Sequence, residues 1–367
     1  MDKKRILLIA ESNMSLSGVP VVYMSIVRTL QDLFDFDIII LKNNDMFFEK
    51  EFLSYGGSVY FFNFQKPSNI FKKLQWYAHG YNKQFKTFLK KNKLDLRKYS
   101  AVHSFNEYFS YPFFKEAKKA KINNVILHIC SAASAYPDKK NFKQLIWNCY
   151  KRKALKYCST ILFVSKKSML YNNYKNKGKV LYNIYDENKY NRIIPCASNE
   201  LLLSQIGTFS SRKNQMFSID VLKAIQKIYP NAVLNIVGKS INDGYAEKMV
   251  EYINKEKMGK SINILNTSTN RVELNKKTSF VLYPSTQDSF GLVLIESQAS
   301  GIHCFASNLI PDDADMGNVE FLELDAKLWA ERIVDFFKKN GNNRIEPQYK
   351  EKFSTKAFRN ALIKTYN

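Results

Sequence analysis

The sequence predicts an α/β protein of two Rossmann-like domains, and three observations carry that expectation. Short apolar runs recur along the chain and alternate with stretches whose apolar residues fall at helical spacing, the pattern of parallel strands joined by helices. A chain of 367 residues with 45% hydrophobic content can bury two ordinary cores and is too long for one small domain. A polar, irregular run at 187–199 divides the sequence into 1–186 and 200–354, and a final amphipathic segment occupies 355–367.

In the first half, Arg5–Ile9 reads as a strand, followed by a polar loop that reaches Gly18 and a helix with Val22, Ile26, Leu30 and Leu33 on one face. No GxGxxG accompanies this turn, which excludes a dinucleotide site of the dehydrogenase kind. Phe36–Leu41 and Val59–Phe62 are the next strands. From Asn69 to Lys91, the residues Ile70, Leu74, Tyr77, Tyr81, Phe85 and Phe88 step by three or four, which predicts one long amphipathic helix with lysines on its other faces. Ala101–Ser104 and Val125–His128 read as strands. His128 ends its strand ahead of a small-residue loop at 131–135, where a side chain is expected to point at a crevice. Lys139–Lys156 predicts a basic helix, and Ile161–Ser165 and Val180–Asn183 two more strands.

The second half opens with a strand at Leu201–Gly207, a loop at Thr208–Asn214 and a helix with Phe217, Val221, Ala224, Ile225 and Ile228 on one face. Further strands fall at Ala232–Gly238, Ile262–Leu265, Phe280–Tyr283, His303–Ala306 and Val319–Leu324. The most informative stretch is Ser279–Ser307. Its strand stops at Pro284, a polar loop covers Ser285–Ser289, and a helix starts near Phe290, carries Leu292, Ile295 and Ala299 at helical spacing, and ends at Gly301. Asp288 lies in the loop at the carboxyl end of the strand, and Glu296 follows eight residues later, about two turns on. Both acids can face one crevice, where open α/β sheets bind ligands and a helix N-terminus favours an anion. Gly291 lets the backbone approach a phosphate closely.

The run D-S-F-G-L-V-L-I-E-S-Q-A-S-G from Asp288 resembles the Glu-x7-Glu signature of the retaining family 4 glycosyltransferases of GT-B fold, with Asp288 one methylene shorter than the family's Glu. I-G-T-F-S-S-R-K-N-Q, from Ile206, resembles that family's V-G-R-x-x-x-x-K-N-x, with Thr208 in place of the Arg. V-L-Y-N-I-Y-D-E-N-K-Y, from Val180, is similar to the segment that closes the family's first domain. The turn at Ser17, Gly18 and Val19 is similar to its Gly-Gly-Val loop, with Ser17 in place of one glycine. The resemblance implies two Rossmann-like domains facing a central cleft, with the last helix crossing back to the first domain. It also implies a sugar moved with retention from a nucleotide-diphosphate donor, a UDP-sugar, to a glycan or lipid-linked acceptor in cell-surface polysaccharide synthesis.

The same resemblance implies the roles. Asp288 would bind hydroxyls of the donor sugar, Glu296 the ribose, and the backbone at Gly291 and Leu292 the phosphate, with Ser289 and Phe290 in the same donor-binding segment. Lys213 would clamp the diphosphate, with Thr208 beside it and Arg212 able to supply the charge that Thr208 lacks. Gly18 would approach the donor phosphate. His128 would face the donor sugar and complete a catalytic set with Lys213 and Asp288, and His103 takes the place of a similar His on the preceding strand. No metal and no cofactor other than the donor substrate is expected. Thr208 and Asp288 also motivate an alternative, a non-catalytic glycosyltransferase-like subunit that stabilises a partner enzyme.

The formal charge of +23 is unevenly placed. Residues 1–190 hold 33 Lys+Arg against 14 Asp+Glu, a net of +19, and residues 191–367 hold 23 against 19, a net of +4. Together with the lysines interleaved with aromatics at 69–91 and 139–156, this asymmetry points to an anionic membrane surface as a partner. No nucleic-acid recognition motif accompanies the charge, so nucleic acid is not expected to bind. Five cysteines with no CxxC pair indicate neither a disulfide framework nor a zinc site. No run of eighteen apolar residues occurs, and the apolar core after Arg5 is short for a signal peptide, so the expected location is cytoplasmic, peripheral on the inner face of the cell membrane.

Overall fold

The structure is a computed structural model that describes residues 3–10, 14–15, 18–41, 46–65, 67–131, 142–171, 178–191, 193 and 200–367. Ser17, the loop at 132–135 and the start of the basic helix at 139–141 lie outside the described residues. The chain divides into two compact units, one of residues 1–182 with 358–367 and one of residues 183–357.

The first unit holds seven parallel strands: β1 (Lys4–Ala10), β2 (Phe34–Ile40), β3 (Val59–Phe61), β4 (Tyr99–Ser104), β5 (Asn124–Ile129), β6 (Thr160–Phe163) and β7 (Gly178–Val180). They lie in the order β3-β2-β1-β4-β5-β6-β7, so the winding reverses between β1 and β4. The strands read as nearly unbroken apolar runs because both faces of the sheet are covered: Ile6 through Ala10 and Ile38 through Ile40 are buried. Against one face packs an aromatic core that includes Phe62, Tyr81, Phe85, Phe88 and Phe113.

The single long helix expected at 69–91 is instead a helix at Ile70–Gln75, a π-helical turn at Trp76–Gly80 and a helix at Tyr81–Lys91. At Gly80 an added Cβ would stand 2.9 Å from the Trp76 ring, so the indole and the glycine backbone pack together where the register shifts.

The last helix, Thr355–Tyr366, contributes residues 358–367 to this first unit. Arg359 holds Asp32 through both guanidinium nitrogens, at 2.6 and 2.8 Å, the Asn124 amide donates to the Thr365 carbonyl at 2.7 Å, and the Tyr366 ring lies 5.5 Å from Phe34.

The second unit repeats the winding with six parallel strands: β8 (Leu202–Ile206), β9 (Val233–Val237), β10 (Ile262–Leu265), β11 (Phe280–Tyr283), β12 (His303–Ser307) and β13 (Val319–Leu322), in the order β10-β9-β8-β11-β12-β13. The reversal falls between β8 and β11. Phe280, Phe305 and Trp329 anchor the core. Residues 187–190, expected within a linker, form a short helix of this unit, because Tyr190 is buried and Asp186 caps the turn by accepting from Lys189 N–H at 3.2 Å. Among the described residues no helix is long and apolar enough to cross a membrane, and no three His, Cys, Asp or Glu side chains gather as a metal ion would require.

Candidate functional site

At the reversal of the second sheet, the loop after β8 is pinned from several sides. Gly207 N–H bonds the Val237 carbonyl at 2.9 Å, and a Cβ on Gly238 would meet the Gly207 oxygen at 2.0 Å, so this close approach needs glycine. The fully buried Gln215 amide donates to the Thr208 carbonyl at 3.0 Å, and the Gln205 amide donates to the Lys213 carbonyl at 2.6 Å. Asn214, left-handed at φ 56°, turns the chain into the helix Gln215–Ile225. The stem of Lys213 lies across Gly207, its Cδ 3.5 Å from where a Cβ would stand.

A second loop, after β11, meets the first through Thr286 N–H, which donates to the Arg212 carbonyl at 2.9 Å. The geometry brings Lys213 and Asp288 together. The ammonium donates to Asp288 Oδ2 and, at 2.8 Å, to the Tyr283 hydroxyl, and that hydroxyl donates in turn to Asp288. Ser289 N–H donates to the other Asp288 oxygen at 2.8 Å. The ammonium also stands 4.6 Å from the Tyr283 ring centre. Burial acts to raise the Asp288 pKa, but the Lys213 charge and the three hydrogen bonds win, so the carboxyl is held below the usual carboxylate range. Burial, and then the Asp288 charge, push the Tyr283 hydroxyl well up, which keeps it a proton-bearing donor.

The helix Leu292–Ala299 follows, entered through Gly291 at φ 110°, a conformation that an L side chain rarely adopts. As first residues of a helix, Leu292 and Val293 carry N–H groups with no acceptor inside it. Gly301, at φ 76°, ends the element and donates to the Gln298 carbonyl at 2.8 Å. The Phe290 side chain is buried with its ring 5.9 Å from Phe353, so it anchors the loop and is not presented to a ligand.

Glu296 accepts from Arg271 at 2.9 Å, and Tyr190 shares hydrogen bonds with both. Burial raises the Glu296 pKa, opposed by Arg271. Thr208 is half-buried and Arg212 exposed, and the Arg212 carbonyl is the group tied into the site.

His128 and Gly18 belong to the first unit. Gly18 is exposed at the start of the helix Gly18–Leu30, with open space around its Cα. His128, expected to point at a crevice, is fully buried: it lies two residues beyond Ile126, the register partner of His103, on the same face of the sheet, and His103 covers its Nδ1 at 3.3 Å. Tyr283, Arg271 and Tyr190 are the polar partners that sequence reading passes over. Tyr283 closes an apolar run and reads as core, although as the last residue of its strand, five before Asp288, it stands where a side chain can turn toward the loop.

A family model described as Glycosyl transferases group 1 matches residues 186–316, a span that contains Lys213, Arg271, Tyr283, Asp288 and Glu296. The chain carries a group 1 glycosyltransferase domain. This glycosyltransferase is 23% identical over 333 residues to the capsular polysaccharide biosynthesis glycosyltransferase CapH of Staphylococcus aureus, with 88% of each chain covered. Two solved structures share its fold, the paired Rossmann-like domains of the GT-B class. Anabaena Alr3699/HepE in complex with UDP has a TM-score of 0.77 at 15% identity, covering 98% of the glycosyltransferase and 99% of that chain. TarM of S. aureus has a TM-score of 0.76 at 11% identity, covering 99% of each chain.

Proposed function

We propose that this glycosyltransferase takes a UDP-sugar and transfers the sugar, with retention, to a glycan or lipid-linked acceptor in capsular polysaccharide synthesis. The observation that carries the reading is the position of the Lys213 ammonium, fixed by Tyr283 and Asp288 at the reversal of the second sheet beside the start of the helix Leu292–Ala299. The name of CapH supports the pathway, and the solved complex of Alr3699/HepE with UDP and glucose supports the donor class.

In this reading the bond between the anomeric carbon and the diphosphate oxygen breaks while negative charge gathers on the leaving group. Lys213 and the N–H groups of Leu292 and Val293 stabilise that charge without reorganising, and one such donor contributes about 3–4 kcal/mol to lowering the barrier. Asp288, already ionised and held by Tyr283, accepts from sugar hydroxyls, and Glu296 accepts from the ribose. Lys213 and the helix start supply the positive field for the diphosphate, so the reading includes no resident metal. A lipid-linked acceptor would be met at an anionic membrane surface, which the charge of the first half and the exposed Lys72, Lys83, Lys86 and Lys90 support.

The test is a panel of nucleotide sugars assayed for thermal stabilisation of the chain and for transfer to capsule-precursor acceptors, with the anomeric configuration of the product read by NMR. Saturable stabilisation by UDP-sugars and an axial product from an axial donor are expected. An inverted product would overturn retention, and stabilisation by other nucleotides alone would overturn the donor class.

A further inference from the structure

Glu296 is held by a triangle of side chains that repeats the one around Asp288. Arg271 donates from Nη1 to Glu296 Oε2 at 2.9 Å, and the Tyr190 hydroxyl hydrogen-bonds with both. A guanidinium can only donate and an ionised carboxylate only accept, so the phenol accepts from Arg271 and donates to Glu296. Tyr283 takes the same place between Lys213 and Asp288. The triangle is built from separate elements of the second unit. Arg271 opens the helix Arg271–Lys277, whose Asn270 cap accepts from Val272 N–H at 3.0 Å, Tyr190 ends the short helix Glu187–Tyr190, and Glu296 lies in Leu292–Ala299.

Burial works against a charge on Glu296 and leaves its pKa raised, while Arg271 and Lys189 by their charge, and Arg271 and Tyr190 by hydrogen bonds, act the other way. Burial, and then the Glu296 charge, push the Tyr190 hydroxyl up, so it keeps its proton. A buried ion pair adds little stability over apolar residues of the same volume, so packing alone gives no reason for this one. The Arg271 and Glu296 side chains are 28% and 17% exposed, which leaves the carboxylate within reach of a ligand.

We propose that Arg271 and Tyr190 are positioning residues for the donor: the guanidinium holds one Glu296 oxygen, the phenol bridges the two groups, and together they present the carboxylate to the ribose hydroxyls. The choice of ribose rests on the proposed role of Glu296; the holding of the carboxylate does not. Arg271 acts through Glu296 and does not itself touch the nucleotide.

The first measurement is carbon-13 NMR of the side-chain carboxyls in the ligand-free full chain, with the Glu296 signal identified by its loss in Glu296→Gln. Its titration midpoint should move up in Arg271→Met and, by less, in Tyr190→Phe. An unmoved midpoint in Arg271→Met overturns the proposal whatever the chain does with UDP; should that variant not fold, the midpoint in Tyr190→Phe decides instead. The second measurement is UDP affinity by calorimetry from about pH 6 to about pH 8.5. Arg271→Met should bind about tenfold more weakly than wild type at the low end, and the gap should narrow as pH rises and Glu296 ionises. The charge of UDP itself changes alike for both proteins, so a gap of equal size at every pH overturns the proposal. Arg271→Lys, which keeps the charge, should bind UDP more tightly than Arg271→Met, and equal weakness of the two would also refute it. Adding Arg271→Met to Glu296→Gln should lose no further affinity; losses that add would make Arg271 a ligand of UDP in its own right and overturn the positioning role. Should Glu296→Gln bind UDP as well as wild type does, the ribose role of Glu296 fails, and the carboxylate titration still decides whether Arg271 and Tyr190 hold it.

Discussion

Replacing Lys213 with Ala should both stop transfer and destabilise the second unit, and the two losses should separate when Asp288 is replaced as well. In the wild type, burial alone would raise the Asp288 pKa, and Lys213 is the main force that reverses the sign. Without the ammonium, Asp288 keeps the Tyr283 hydroxyl and Ser289 N–H as donors but loses its counter-charge. Breaking a fully buried pair costs about 3–5 kcal/mol. The Lys213 and Asp288 side chains are 14% and 19% exposed and two donors remain, which brings the expected cost to about 2 kcal/mol. For a unit of this size that is a drop of about 4–8 °C in Tm.

The loss should depend on pH. The lowered wild-type pKa gives stability that is present above the unfolded carboxylate pKa and is lost only as pH falls through the lower folded value. In Lys213→Ala the folded pKa should lie above the unfolded one, so stability declines as pH rises between them. The gap from wild type should therefore be wider at about pH 8 than at about pH 4. Adding Asp288→Asn removes the uncompensated charge and should recover at least about half of the lost stability at the higher pH. On the proposed role of Lys213, transfer should stay at least about a hundredfold down in both variants, because each lacks the charge assigned to the leaving diphosphate. Thermal melts of the three proteins at the two pH values, with a radiolabel transfer assay, make the comparison. An unaltered melt for the single variant, or no recovery in the double, would show that the ion pair does not hold this loop.

On the proposed role of Glu296 as acceptor for the ribose, Glu296→Gln should weaken UDP binding by about tenfold or more and leaves Arg271 without its carboxylate partner; unchanged heats of UDP titration would reassign this acid. Gly291→Ala forces an L residue to φ 110° and sets a Cβ 3.2 Å from Leu294, so a loss of about 1–2 kcal/mol is expected in denaturant melts, and a neutral result would show that the turn relaxes. The chain should pellet with acidic but not neutral vesicles, less so at high salt. Changing Lys72, Lys83, Lys86 and Lys90 to Gln should reduce pelleting, at about 1 kcal/mol per lysine; equal pelleting with both vesicle types would exclude this surface.

Much of the fold could be read from the sequence because parallel strands buried on both faces are written as unbroken apolar runs, from Ile6–Ala10 to Phe280–Tyr283. The candidate site could be read where its residues are local. Asp288, Gly291 and Glu296 lie within nine residues, and one strand, loop and helix fix their spacing. What the sequence hid is long-range pairing. Lys213 reaches Asp288 across 75 residues, Arg271 meets Glu296 across 25, and His103 meets Tyr366 across 263, and no periodicity encodes such partners. The π-helical turn at Trp76–Gly80 escaped for a similar reason. Its apolar spacing is that of a regular helix, and the shift follows from a contact between one indole and one glycine.

The return of residues 358–367 to the first unit sets an order of events during synthesis. Asp32, Asn124, Phe34 and His103 are translated early, yet their partners Arg359, Thr365 and Tyr366 leave the ribosome only after the whole second unit has been made. Domains usually fold in the order in which they emerge. Here the unit that starts first must wait for its closing segment, while the later one has all of its residues in hand by position 357. The first unit therefore spends the longest time on the ribosome with the Phe34 and His103 side of its sheet uncovered, the interval in which a chaperone or a premature stop would have its greatest effect.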